Sequence, residues 1–299
     1  MATVYGIDIS KWQGDPDFSK VKTDPKAQFI IMRAGIGTAT DVKYERNYRE
    51  CKAHGIPCGA YWYSKALTPA AARSEAKACI KALSGKQFEY PIYMDVEYEK
   101  QLALSKTAVT EIVEAFCSEL EAAGYFAGIY GSRYPLVDNI STTTRQKYTM
   151  WVAHYGVSKT NYPDPYAIWQ KSDKGSIKGI NGKVDLDECY QDFPSIIKAS
   201  GKNGFAKTDA PATQPTPTPT PAPTITPTKP TTPTNVKKFN VKVICYALNV
   251  RSGPGASYKR TAIVHKNEIY SIIEEKNGWG KLISGVGWIN LSSKYVKRV

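Results

Sequence analysis

Four carboxylates in this 299-residue chain are placed where they could do chemistry. The run Tyr93-Met94-Asp95-Val96-Glu97 closes on two acids separated by one residue. In an extended strand they share a face, about 7 Å apart along the backbone. The residues before them are apolar, so the pair emerges from a buried segment. Two carboxylates held this way cannot both ionise freely, and one keeps its proton to higher pH, as a general acid requires. Asp8 ends the early run Gly6-Ile7-Asp8, and Asp185 lies in the late run Val184-Asp185-Leu186-Asp187. An acidic cluster with no Cys/His nucleophile arrangement fits hydrolysis of a glycosidic bond. Two competing readings are caps or turns at strand ends, and a magnesium or calcium site.

Tyr61, Tyr63, Tyr130, Trp151 and Trp169 fall on or at the ends of strand-like runs. They are candidates to meet the apolar faces of sugar rings, although large aromatics also fill cores. The three histidines, His54, His154 and His265, are far apart in sequence, so no metal site and no cofactor are expected. The six cysteines form no CxxC pair and read as reduced, mostly buried thiols.

Elements able to position these residues alternate along the first two-thirds of the chain. Runs rich in β-branched and aromatic residues occur at 4–10, 28–35, 57–64, 91–97, 127–132, 149–155, 167–172 and 183–190. Segment 103–123 carries Val109, Ile112, Val113, Phe116 and Leu120 at the spacing of one buried helical face. Segment 69–84 is Ala-rich and opens at Thr68-Pro69, a helix start signal. Eight strands with intervening helices predict a parallel α/β barrel, with chemistry at the carboxyl ends of its strands. First and last strands are neighbours in a closed barrel, which brings Asp8 and Asp185 to the same mouth as Asp95 and Glu97. The connections 133–148 and 156–166 look short of full helices, so the (β/α)8-like barrel is expected to be irregular there.

The run from Pro211 to Thr234 alternates Pro and Thr and has almost nothing apolar to bury. It reads as an extended spacer, reaching about 70 Å when straight. Residues 237–299 are short strand candidates separated by Gly, Asn and Ser, the pattern of a small all-β barrel. The predicted organisation is therefore a barrel over 1–205, a Thr/Pro-rich linker over 206–236 and a small β-domain over 237–299. The net charge of +13 is unevenly spread: 237–299 carry 12 Lys/Arg against 3 Asp/Glu, while 1–205 carry 26 against 23. A basic module suits an anionic partner. Its cations are dispersed rather than run together, which argues against nucleic acid. No run approaches the roughly 18 apolar residues of a membrane helix, so no membrane insertion is expected. The start MATVYGIDIS has no signal-peptide pattern, so synthesis and folding in the cytoplasm are expected.

Seven blocks in order resemble glycoside hydrolase family 25, the Chalaropsis-type lysozymes. They are GIDISKWQG at 6–14, FIIMRAG at 29–35, GAYWYS at 59–64, YMDVE at 93–97, GIYGS at 128–132, MWVAHYG at 150–156 and AIWQKSDKGSIKGINGKVDLDE at 167–188. The resemblance implies a muramidase cutting the β-1,4 bond between N-acetylmuramic acid and N-acetylglucosamine. It implies Glu97 as proton donor, Asp95 as stabiliser of the charge developing at the sugar, and Asp8 and Asp185 as the remaining family acids. Asp95 and Glu97 leave one strand, which favours the substrate's own 2-acetamido oxygen as nucleophile. Family members often carry His where Trp62 stands, a position expected to face away from the cleft. Residues 240–299 resemble a bacterial SH3-type domain through Leu248–Gly255, Gly278–Leu282 and Gly287–Ile289. Such domains imply binding to peptidoglycan, and the charge suits anionic wall polymers, with Arg251, Trp279 and Trp288 as candidate contacts. Together these features are expected of an endolysin that reaches the wall of a Gram-positive host after holin-type release. The alternatives are a weak or inactive wall-binding protein, or another N-acetylhexosamine glycosidase.

Overall fold

The computed structural model describes residues 3–207, 239–245, 247–265, 269–282 and 287–299. The chain forms two compact units, Met1–Thr216 and Pro217–Val299. The Pro/Thr run lies outside the described residues.

The N-terminal unit contains strands β1 (Val4–Ile9), β2 (Phe29–Ile36), β3 (Ala39–Thr40), β4 (Cys58–Tyr63), β5 (Ile92–Asp95), β6 (Ala127–Ser132), β7 (Thr149–Ala153), β8 (Ile168–Gly175) and β9 (Val184–Cys189). Its helices are α1 (Phe18–Val21), α2 (Tyr44–Ala53), α3 (Pro69–Leu83), α4 (Glu99–Leu102), α5 (Lys106–Ala122), α6 (Arg133–Asn139), α7 (Thr142–Lys147) and α8 (Phe193–Ser200). The strands follow the order β1-β9-β8-β7-β6-β5-β4-β2, and β1 pairs with β2 to close an eight-stranded barrel; β3 is appended beside β2.

The barrel is not wholly parallel. Strand β9 runs antiparallel to both β8 and β1. The connection from Gly175 to Val184 contains no helix. A parallel crossover needs a dozen or more residues, so this short link can only turn the chain back. Segment 133–148 forms two short helices and 156–166 none, as their sequences suggested. A buried Arg145 ties this region together. It pairs with Asp164 at 2.7 Å and donates to carbonyls of Val137 and Ile140.

Alternation along each strand divides the apolar residues into two sets. Ile7, Ile30, Met32, Trp62, Met94, Ile129 and Val152 face the helices. Phe29, Ile31, Tyr93, Tyr130 and Trp151 fill the barrel interior. The interior has so little spare room that a Cβ on Gly6 would lie 2.4 Å from the Phe29 ring. Helix α8 closes the amino-terminal end, packing Phe193 and Ile197 into the interior cluster. There Tyr90 stacks on Phe29 at 4.3 Å and meets Phe193 at 5.8 Å. Asn203, fully buried, bonds the backbone at Phe88, Tyr90 and Phe126 and locks that end. The opposite end, where the parallel strands finish, carries the polar residues.

In the C-terminal unit, β10 (Phe239–Val243), β11 (Ala247–Arg251), β12 (Arg260–His265), β13 (Ile269–Lys276), β14 (Trp279–Leu282), β15 (Trp288–Asn290) and β16 (Val296–Arg298) form one antiparallel sheet. Val241, Val250, Ile272 and Ile289 make its core.

Candidate active site

Asp8 and Asp185 are direct cross-strand partners in the β1–β9 ladder. Side chains opposite each other on paired strands share a face, so both acids enter the mouth together. Asp8 is buried, and its Oδ2 accepts from Gln170 Nε2 at 2.6 Å. Gln170 is itself held from the other side, its Oε1 accepting from the hydroxyls of Tyr130 and Tyr155. Burial and the charges of Asp185 and Asp187 push the Asp8 carboxyl well above its usual range. Burial, followed by the charge of Asp173, lifts Asp185 to about 6.

Asp95 ends β5 and is 2 % exposed. Its Oδ1 has no hydrogen-bond partner among the described residues. Glu97 lies two residues on, partly buried, and accepts from Ser132 Oγ at 3.2 Å. Burial raises both acids. The Glu97 charge adds to the rise at Asp95, and the Ser132 bond opposes it at Glu97. Interacting carboxyls of this kind titrate as a pair, with one proton held in common over a range of pH.

All four predicted acids thus reach one mouth, and the structure adds a fifth. Asp187 is 1 % exposed and opposes Gly6 in the β1–β9 ladder. Its Oδ1 accepts from Trp151 Nε1 at 2.8 Å, and its Oδ2 has no partner among the described residues. Its spacing of two from Asp185 was the available signal. Gln170, Arg33 and Asp41 were also missed. Arg33 points inward from β2 and pairs with Asp41 at 2.7 Å, and its charge opposes the rise at Asp95. Among the described residues no group of three or more His, Cys, Asp or Glu is arranged to hold a metal ion.

The aromatic candidates separate. Tyr61 and Tyr63 are partly exposed on the inner face of β4. Tyr130 is buried and committed to Gln170. Trp151 lies beneath the acids at 1 % exposure, edge-on to Tyr61 and Tyr93. It supports the site from below and presents no open ring face, so the expectation of a sugar contact is corrected there. Trp169 is corrected as well. It lies on the face of β8 opposite Gln170, and its indole donates to the His154 carbonyl at 2.9 Å. Trp62 faces the helices, with its indole on the Gly37 carbonyl. In the small unit Arg251 donates to the Tyr258 carbonyl and Trp279 is half-buried. Trp288 is buried, which removes it from the exposed surface. Cys51, Cys58, Cys79, Cys117 and Cys189 are buried free thiols, and Cys245 is intermediate in exposure.

Residues 7–180 match Glycosyl hydrolases family 25. The chain belongs to that family. Residues 247–297 match the bacterial SH3 domain. Asp8, Asp95 and Glu97 fall inside the family 25 match, while Asp185 and Asp187 lie beyond its end. The chain is similar to an autolytic lysozyme of Clostridium acetobutylicum, 34% identical over 184 residues. That match covers 61% of this chain and 55% of the relative, so the chain spans about half that relative's length. Among solved structures, the CTP1L endolysin superposes with a TM-score of 0.59 at 26% identity, covering 67% of this chain and 70% of that one. The modular autolysin LytC of Streptococcus pneumoniae, solved with a synthetic peptidoglycan ligand, gives 0.58 at 27% identity, covering 63% and 47%. The acids stand at the carboxyl end of the parallel barrel strands, where barrel enzymes keep their chemistry.

Proposed function

We propose that the N-terminal unit is an N-acetylmuramidase. It hydrolyses the β-1,4 bond between N-acetylmuramic acid and N-acetylglucosamine in bacterial peptidoglycan. The observation that carries this reading is the Asp95–Glu97 pair, in which a buried carboxylate oxygen lacks a donor beside an acid of raised pKa. An N-acetylated sugar supplies what is missing. Its amide N–H gives Asp95 a hydrogen bond that favours the charged carboxylate, and the shared proton moves to Glu97.

The chemistry then follows. The acetamido oxygen attacks the anomeric carbon, the glycosidic C–O bond breaks, and its electrons go to the leaving oxygen. That oxygen takes the Glu97 proton. Asp95 stabilises the cyclic cation formed by the acetamido group. Water then attacks the anomeric carbon, the bond to the acetamido oxygen breaks with its electrons returning to the amide, and the water's proton passes to Glu97, which restores the acid and retains configuration. An inverted product would refute this course.

The SH3-type unit is proposed to hold wall components, its dispersed cations suiting an anionic polymer. Similarity to the CTP1L endolysin and to autolysins supports a role in wall lysis, as an endolysin acting on a Gram-positive host after release from the cytoplasm.

The deciding assay is release of reducing ends from purified Gram-positive peptidoglycan, with the new ends identified by mass spectrometry after borohydride reduction. Muramic acid at the new ends, lost in Glu97→Gln, supports the proposal. Glucosamine at the new ends would place the cut at the other linkage.

A further inference from the structure

Trp12 is 75% exposed, the most open aromatic side chain among the described residues of the N-terminal unit. A single exposed ring is ordinary in itself, and what marks this one is its setting. The backbone carrying it is unusually well fixed. Trp12 occupies the single 3-10 turn Lys11–Gln13 that follows β1, four residues beyond Asp8. A reciprocal cap holds the turn, with Ser10 Oγ accepting from the Trp12 N–H and Gln13 Oε1 accepting from the Ser10 N–H. The Lys11 N–H donates to Asp41, which also binds Arg33 of the mouth. Gln13 reaches across to the Lys183 carbonyl before β9. A rigid turn thus presents a flat ring at the rim, with the Lys11 ammonium over one side at 4.9 Å and the other side open.

A second exposed aromatic stands across from it. Tyr134, 58% exposed, is two residues beyond Ser132, the partner of Glu97. The Arg133 guanidinium covers one side of its ring at 4.2 Å and is anchored by Asn161. The His154 ring meets Tyr134 nearly edge-on, with centroids 6.0 Å apart. Trp12 follows β1 and Tyr134 follows β6, which lie four strands apart in either direction round the barrel. The two rings therefore rise from diametrically opposite sides of the mouth, with the acids between them.

We propose that Trp12 and Tyr134 are stacking platforms at the two ends of the cleft, each taking a pyranose ring of the glycan strand away from the bond being cut. This inference rests on the glycan-hydrolase reading. The apolar C–H face of a pyranose suits an aromatic face, and such a contact binds ground state and transition state alike. Its loss should therefore appear in KM and leave kcat unchanged.

The test uses the full chain and peptide-free peptidoglycan glycan chains graded in length. Wild-type KM should fall as the chains lengthen. Trp12→Ala and Tyr134→Ala should each raise KM on long chains about fivefold, and the double variant by about the product, since the sites are far apart. KM on the shortest chains cleaved, kcat and melting temperature should be unchanged, and Trp12→Phe should recover most of the Trp12 effect. Unchanged KM on long chains in both single variants overturns the proposal. So does a fall in kcat on the shortest chains, which would put these residues in the chemistry. If the wild type releases no reducing ends, the hydrolase reading fails instead. Fluorescence quenching by the long chains then decides the platforms: quenching lost in Trp12→Ala supports them, and no quenching in the wild type refutes them.

Discussion

Replacing Asp185 by Asn should stabilise the barrel at neutral pH while removing an acid from its mouth. Asp185 faces Asp8 across the β1–β9 ladder, and its pKa rises from 3.8 to about 6, chiefly through burial and then through Asp173. Between those two pH values the folded chain keeps a proton that the unfolded chain has released. Stability therefore falls as pH rises through this window and stays at the lower level above it. At 1.36 kcal/mol per pKa unit, the cost of holding the charged form is about 3 kcal/mol. Partial solvent access to Asp185 trims this to about 2 kcal/mol. Asn is neutral at every pH and resembles the protonated acid. The variant should match the wild type near pH 3.5 and exceed it by about 2 kcal/mol near pH 7.5. Part of that gain comes from Asp8, which titrates with Asp185 as a pair. Urea unfolding of the full chain, followed by helical ellipticity, isolates the N-terminal unit, because the described helices all lie there. Equal unfolding midpoints at pH 7.5, or an equal gain at pH 3.5, would refute the reasoning.

The Ser132 hydroxyl donates to Glu97 and holds its pKa down, so Ser132→Ala should raise it further. The protonated acid then survives to higher pH, and the alkaline limb of the kcat/KM profile should move upward; a fixed or downward limb would count against Glu97 as the acid. Trp151→Phe removes the donor to Asp187 Oδ1, whose other oxygen already lacks a partner, and should cost about 2 kcal/mol in chemical denaturation at pH 7. Asn203→Ala deletes three buried backbone hydrogen bonds and leaves Ala at a φ of 55°, so thermal unfolding should show a loss of about 3 kcal/mol.

The acids were legible because each breaks an apolar run at the point where a buried strand meets solvent. Closure of the barrel then brings Asp8 and Asp185 together, and the ladder pairs them directly. Strand direction was harder to read. Segment 183–190 looks the same parallel or antiparallel, and only the shortness of the link before it, with Gly179 and Gly182 at positive φ, marks a turn back. Period-two alternation carried more than was taken from it. Counting from Asp185 puts Asp187 on the inner face. Counting along β8, Gln170 faces in and Trp169 out. Arg33 was less accessible, since it stands within a nearly continuous apolar run and its partner Asp41 lies beyond a hairpin.

The five acids are not equivalent, and the difference follows the topology. On the β1–β8–β9 side, Asp8 is met by Gln170, and Asp187 accepts from the Trp151 beneath it. Those partners come from strands two positions round the barrel, β8 for Asp8 and β7 for Asp187, through side chains too buried to turn away. On the β5 side, Asp95 keeps an oxygen without a donor, and Glu97 has a single hydroxyl. A buried carboxylate oxygen left this way costs stability unless something binds it. The closed amino-terminal end, with α8 inserted and Asn203 fully bonded, supplies rigidity that lets the barrel hold this cost in place. On the first side one oxygen each of Asp8 and Asp187 is held before any substrate arrives, while Asp187 Oδ2 stays open. The other side has a bond left to make, and in the proposed mechanism a substrate that makes it stabilises the charged form of Asp95 and leaves the shared proton on Glu97, beside the oxygen that has to receive it.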